Sequence, residues 1–455
     1  MNEIYRGYKG VYYYSFPESE DDRLIKSRKV SRAKDGRFID REEFRDISSD
    51  IQKIRSAYTP IIVQIPELSK SILNTPLTPQ YSYAHDYPRF ALAFHHFIHS
   101  NRNKLEILQE FEGKKPVYKV LNKFEPTIDN YDDDIMKSTS VYLDTKLPII
   151  DRGFFKMWEM IKRFDLVDDS SNFISAHLIG DKGSFAQAVM AYREKYHGKK
   201  SGKDNHYFVD YALDVKTSVD SDLVSNKKVH VPKTYELGKL DAKLVTANGG
   251  YEWINPNVQE QEIIPMLVEQ IKASLKIQKK GGDMVIMVTE TYTLVTVKLI
   301  TLLKNCYKNC FIFKPLLSDD MEPERYIVCK EFRLSEKDRK DVIDKLNSFV
   351  LNDDRQLSNI EPSFVVDSTL MATMAFANAQ IANRQVLAVN ATVSFIKGEN
   401  YYGDVYQNSR NEQIKMVKYW TDTFLTDKWN SGETSDLVDK NRDNVAELYN
   451  IAGYR

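Results

Sequence analysis

From about residue 150 the apolar positions fall into short runs separated by amphipathic stretches, a pattern that predicts strands and helices in alternation. Phe154, Met157, Trp158 and Ile161 share one helical face over 154–164, and 173–179 reads as a strand. The turn Gly180-Asp-Lys-Gly183 then leads into a helix over 184–196. A strand at 244–247 ends in the turn signal Asn248-Gly-Gly250. An amphipathic helix is predicted over 258–280, with Gly281-Gly282 as its left-handed C-terminal cap. A buried strand (284–288), a helix (293–303) and two further strands (310–313 and 326–329) follow. Such alternation predicts an α/β fold, a mainly parallel sheet with helices on both faces. Ligands of such sheets bind beyond the carboxyl ends of the strands.

The flanks read differently. Residues 1–130 form an irregular N-terminal region with a tyrosine cluster (Tyr5, Tyr8, Tyr12, Tyr13, Tyr14) and a basic arm from Lys26 to Arg37. That arm suits either a phosphate backbone or a solvated loop. A helix is expected from Phe90 through His99 to Glu112, and the acidic run 129–134 reads as a linker. Beyond residue 335 the pattern predicts a helical C-terminal extension over 336–455, with helices at 336–351, 368–396 and 411–425. The long helix at 368–396 is too polar to span a bilayer and is expected to be a buried packing helix or a subunit contact.

Composition narrows the class. The 455 residues are 42% apolar and 28% charged, which excludes a disordered or low-complexity chain. With 64 Lys plus Arg against 65 Asp plus Glu, the formal charge is −1, so any nucleic-acid site must be a local basic patch. Three cysteines (Cys306, Cys310, Cys329) cannot build a disulfide framework and favour a reducing compartment. No apolar run is long enough to span a membrane, and the first residues lack a signal-peptide core, so a cytoplasmic protein without a membrane partner is expected.

Five ordered pieces of the central region carry a resemblance. They are Arg152-Gly-Phe-Phe-Lys-Met-Trp-Glu159, His177-Leu-Ile-Gly-Asp-Lys-Gly-Ser-Phe185, Leu244-Val-Thr-Ala-Asn-Gly-Gly250, Gly281-Gly-Asp-Met-Val-Ile-Met-Val288 with Thr291-Tyr-Thr293, and Lys314-Pro315 with Glu324-Arg-Tyr-Ile-Val-Cys329. Together they resemble the FtsJ-type ribose 2′-O-methyltransferases, in particular the cap-modifying branch of eukaryotes and large DNA viruses. The resemblance implies a Rossmann-like methyltransferase domain over 131–335, S-adenosylmethionine as cofactor, and a viral origin for the three-part layout. It implies a cofactor loop at Gly180, Asp181, Gly183, Ser184 and Phe185. It also implies a Lys–Asp–Lys–Glu tetrad at Lys156, Asn248, Met287 and Glu324.

Two tetrad positions depart from that pattern. The reaction needs a base for a ribose hydroxyl. Methionine at 287 is a thioether that cannot take a proton at neutral pH, and Asn248 keeps the shape of Asp without its charge. In the loop, Lys182 and Ser184 replace the proline and a glycine of the family's run, and Gly180 stands where its acidic residue is expected. Asp181 compensates in part if the loop is shifted by one residue. The first reading is therefore a catalytically degenerate methyltransferase fold acting as a structural or interaction subunit, without bound cofactor. Its protein partner or second copy would dock through the flanks. The alternatives are a live cap methyltransferase with a substitute base (Lys156, Lys243 or Lys298) and a non-catalytic RNA-binding protein contacting phosphates through Lys199, Lys200 and Lys203, beside Lys195 and His197.

Other constellations point less far. His95 and His99 share a helix face at zinc-holding spacing, but no third ligand stands at a recognised distance in the sequence, and no metal is expected. The three cysteines read as core thiols. Trp253 either lines the cleft or covers the next helix.

Overall fold

The computed structural model describes residues 59–85, 88, 92–144, 147–178, 180–210, 219–232, 240–249, 255, 257–351, 355–427, 429 and 432–452, together with strands at 31–32 and 38–39. The chain divides into two units, 1–59 and 60–455. In the first, β1 (Ser31–Arg32) pairs antiparallel with β2 (Phe38–Ile39). The tyrosine cluster and the rest of the basic arm lie outside the described residues, as do Gly250 and Trp253.

The second unit is built on an eight-stranded sheet. Its strands are β3 (Ile61–Gln64), β5 (Ile174–Leu178), β6 (Asn205–Val209), β7 (Val229–His230), β8 (Ala242–Ala247), β9 (Gln278–Val288), β10 (Tyr307–Lys314) and β11 (Arg325–Phe332). Their spatial order is β3-β10-β11-β9-β8-β5-β6-β7. The pairs among β5 to β9 are parallel, whereas β11 lies antiparallel to both β9 and β10, and β3 antiparallel to β10. The fold is thus the expected Rossmann-like α/β sheet, with antiparallel pairing at one side. β3 is a strand within the region expected to be irregular. β4 (Pro79–Ser82) pairs with β12 (Gln356–Ile360), which adds a strand to the region expected to be helical.

Helices cover both faces. The longer ones are α1 (Leu92–Arg102), α2 (Ile135–Leu143), α3 (Gly153–Phe164), α4 (Ser184–His197), α5 (Ile264–Ile277), α6 (Leu294–Cys306), α7 (Glu336–Asn347), α8 (Ser368–Lys397), α9 (Gly403–Phe424) and α10 (Gly432–Ala452). The period-2 alternation of the strands sorts their side chains. Cys310, Ile312, Ile327, Cys329, Met284 and Ile286 join the α5 and α6 residues in the main core. On the other face Phe311 and Phe313 meet Phe164 of α3, and Tyr326 meets Phe185 of α4. All three cysteines are buried free thiols.

Three expectations need correction. The helix expected to reach residue 280 ends at Ile277, and Gly281-Gly282 lies inside β9. Buried Gln278 turns extended there because its amide donates to Ala242 O and its carbonyl accepts from Tyr307, while Gly281, at φ +74°, absorbs the register shift against β8. The run 129–134 is no free linker, since Asp134 is fully buried and caps α2 by accepting from Lys137 N. Of the helix expected from Phe90 to Glu112, Leu92–Arg102 is α-helical and Asn103–Phe111 is a 3₁₀ helix.

α3 is buried around its whole circumference, which no surface helix of a free-standing domain tolerates. The C-terminal extension covers it. Phe155 packs on Trp420, Trp158 Nε1 donates to Phe424 O at 3.0 Å, and Lys162 donates to Thr426 O at 2.9 Å. Even the polar pair on this helix is fully buried, with Arg163 Nε 2.9 Å from Glu159 Oε1.

Candidate functional site

The carboxyl ends of β5, β8 and β9 meet the start of β11, and three of the four tetrad positions come together there. Lys156, in the first turn of α3, lies 2.6 Å from one oxygen of Glu324 and 2.7 Å from the other. Tyr326 is two residues beyond Glu324. Its hydroxyl lies 3.0 Å from Glu324 Oε1 and 3.1 Å from Asn248 Oδ1, bridging the two positions. Ser318 donates to the same Glu324 oxygen at 2.9 Å. Burial pushes the Glu324 carboxyl up, but Lys156 and Lys314 outweigh it and hold it down at about 2. Lys314 also fixes the loop before β11 by donating to the carbonyls of Asp319, Glu322 and Glu324.

Met287 occupies the remaining tetrad position. It stands opposite Tyr326 in the β9–β11 register, hence on the same face of the sheet. It is nearly buried, and its methyl lies 3.8 Å from where a Cβ on Gly249 would sit. Neither other lysine named as a substitute base comes near. Lys243, near the amino end of β8, faces Asp168 and Gly281 O, and Lys298 donates to Asn359, Ile360 O and Glu361 O.

The cofactor-loop residues fold inward. Asp181 accepts from Gly183 N at 2.8 Å, from Ser184 Oγ at 3.1 Å and from Asn248 Nδ2 at 2.7 Å. Burial raises the Asp181 carboxyl against those three donors. Asp181 thus returns a carboxylate to the neighbourhood of Asn248 from the adjacent strand end. Gly180 is needed because a Cβ there would lie 2.6 Å from Gly249 O, and Gly183 because its φ is +103°. Phe185 is buried behind the loop. Lys199, Lys200 and Lys203 lie at the other end of the sheet, since α4 runs back from the end of β5 to the start of β6; Lys200 pairs with Asp169.

Sequence reasoning missed two groups. Tyr326 was legible in principle, because residues i and i+2 of a strand share a face and Glu324 is i−2. The second group gathers on the far side of β9: Glu290 lies 3.3 Å from His99 and 2.5 Å from Arg102 of α1. The third acidic partner that the His95–His99 spacing lacked is supplied here from a distant part of the chain. No local pattern signals that contact. Among the described residues no helix is long and apolar enough to cross a membrane.

Comparison with known proteins agrees with this geometry. Residues 149–332 match the model of the FtsJ-like methyltransferase family. A cap-specific mRNA (nucleoside-2′-O-)-methyltransferase 1 of Caenorhabditis elegans is 27% identical over 285 residues, covering 56% of this chain and 30% of that protein. The mouse protein of the same name is 23% identical over 269 residues, covering 53% and 32%. The chain therefore spans about a third of the length of these relatives. Protein R383 of Acanthamoeba polyphaga mimivirus, itself uncharacterised, is 21% identical over 394 residues, covering 86% of this chain and 98% of its own. A Plasmodium falciparum structure described as a ribosomal RNA methyltransferase aligns at 16% identity and a TM-score of 0.31, over 40% of this chain and 97% of that one. Over residues 149–332 the chain thus matches the FtsJ-like methyltransferase family.

Proposed function

We propose that this domain no longer transfers methyl groups and serves as the scaffold of a structural or interaction subunit. The observation that carries the reading is the pairing of Met287 with Tyr326 at the base position, where an apolar thioether can take no proton. Lys156, the remaining amine, is engaged as a donor to both oxygens of Glu324. The loop donors that would face a cofactor are turned to Asp181 instead. The near full-length match to the mimivirus protein supports a viral origin and a single unit of domain and flanks. On this reading the protein acts in the host cytoplasm or the particle, and a protein partner or second copy engages the flanking regions.

Calorimetric titration of the full chain with S-adenosylmethionine tests the proposal, alongside a ribose-methylation assay on capped RNA. The expected outcome is no binding heat and no methylated product. Micromolar cofactor binding with methyl transfer overturns the reading and restores the activity for which the cap-specific relatives are named.

A further inference from the structure

We propose that His95, His99 and Glu290 form a binding site for a divalent transition-metal ion, zinc in the first instance, that pins α1 to the segment following β9. Among the described residues this is the one group of three His, Cys, Asp or Glu side chains whose donor atoms converge, all within 4.8 Å of one another. All three residues are buried. Two imidazoles with one carboxylate suit zinc, and a solvent molecule commonly completes the coordination.

The hydrogen bonding around His99 gives a second argument. Asn257 Oδ1 lies 3.1 Å from His99 Nδ1 and can only accept, so Nδ1 carries a proton and donates it. His99 Nε2 is left facing Glu290 Oε2 at 3.3 Å. That is long for a charge-assisted hydrogen bond, which closes to about 2.7–2.9 Å. It is the separation of two neighbouring ligands on a tetrahedral ion with bonds of about 2.0–2.1 Å. A ligating histidine that donates its other N–H to an oxygen is the usual supporting arrangement, because it fixes both tautomer and ring plane.

Glu290 is arranged to match. One oxygen, Oε1, is held by Arg102 at 2.5 Å, while Oε2 faces His99. His95 lies beside His99 with ring centroids 3.9 Å apart and the planes tilted by 30°, one helical turn earlier on the same face. An ion would draw the three donor atoms, which lie within 4.8 Å of one another, to about 3.3–3.5 Å apart. The ion would join a flanking helix to the loop just beyond the strand that bears Met287. This inference does not depend on whether the domain is catalytic.

The test uses the full-length chain, stripped with a chelator and then given Zn²⁺ or Co²⁺ alone. The expected result is one zinc per chain after dialysis, a rise in melting temperature on zinc addition, and visible Co²⁺ bands of four-coordinate intensity. Glu290→Gln and His95→Gln should each weaken zinc binding at least tenfold, and Asn257→Ala by about tenfold through His99. Circular dichroism reports whether each variant is folded, and the wild-type stoichiometry stands independently of them. A folded wild-type chain that retains no zinc overturns the proposal, as do folded Glu290→Gln and His95→Gln variants that bind zinc as tightly as wild type.

Discussion

Two carboxylates, Glu324 half-buried and Glu290 buried, stand at the same end of the sheet on neighbouring chain segments, and they are neutralised in different ways. Glu324 immediately precedes β11 and is paired by Lys156, with the charge of Lys314 nearby and Ser318 and Tyr326 completing its shell. Every one of those partners belongs to the FtsJ-like domain. Glu290 follows β9 and is met by Arg102 and His99, both on α1 of the N-terminal flank. Burial would raise each acid, yet cations hold both below the ordinary carboxylate range. The difference shows what each anchor preserves. The first links Lys156, Glu324, Tyr326 and Asn248 at the carboxyl end of the sheet, and the second ties that domain to chain outside it.

Removing the cation beside each acid separates the two anchors. In metal-stripped protein, Arg102→Met leaves Glu290 buried without its guanidinium and with His99 still facing it, and an unfolding free-energy loss of about 3–5 kcal/mol is expected. Denaturant melts measure the loss, and hydrogen exchange should place it in α1. A uniform loss across the sheet would refute the idea of a local clamp. Adding Glu290→Gln to that variant should recover part of the stability, because the uncompensated charge is gone.

Lys156→Met should cost less, about 1–3 kcal/mol, since Lys314, Ser318 and Tyr326 still serve Glu324. Its signature is the pH dependence. A carboxyl held at about 2 in the fold, against an ordinary 4.5, adds stability that is complete above pH 4.5 and lost as pH falls towards 2. The melting-temperature gap between wild type and Lys156→Met should therefore shrink over that window. A constant gap would mean that Lys156 contributes packing alone.

The smallest effect is expected for Asn248→Asp. It sets a second carboxylate in the 2.7 Å contact that the Asn248 amide now makes with Asp181. Two acids sharing one site push one pKa up. The variant is therefore destabilised as pH rises through the carboxylate range, by about 1 kcal/mol at neutrality. Asp181→Asn in the same chain should remove the pH dependence.

The sheet was legible where burial on both faces gives an unbroken apolar run, as in Met284 to Val288. β3 was not, because four residues after Pro60 carry no periodicity of their own and are fixed by pairing with β10. The junction at Gln278 was hidden because helical amphipathicity continues through Lys280, while a side-chain bond to Ala242 O decides the turn. At the site, ordered motifs single out Lys156, Asn248, Met287 and Glu324, and the fold brings Lys156, Asn248 and Glu324 together. Asp181's link to Asn248 and Glu290's to His99 join residues 67 and 191 positions apart, beyond the reach of any local pattern.

The pairing of β3 with β10 also sets a timetable for synthesis. Ile61 finds Lys314, and Gln64 finds Phe311, only after some 250 further residues have been made. At about 5–20 residues per second, the apolar Ile61-Ile-Val63 segment waits roughly 10–50 s on the ribosome before its partner emerges. During that interval it is an unpaired strand with a strong tendency to recruit other edges. The edge of the sheet formed by this four-residue element is therefore completed late, once β10 has been made.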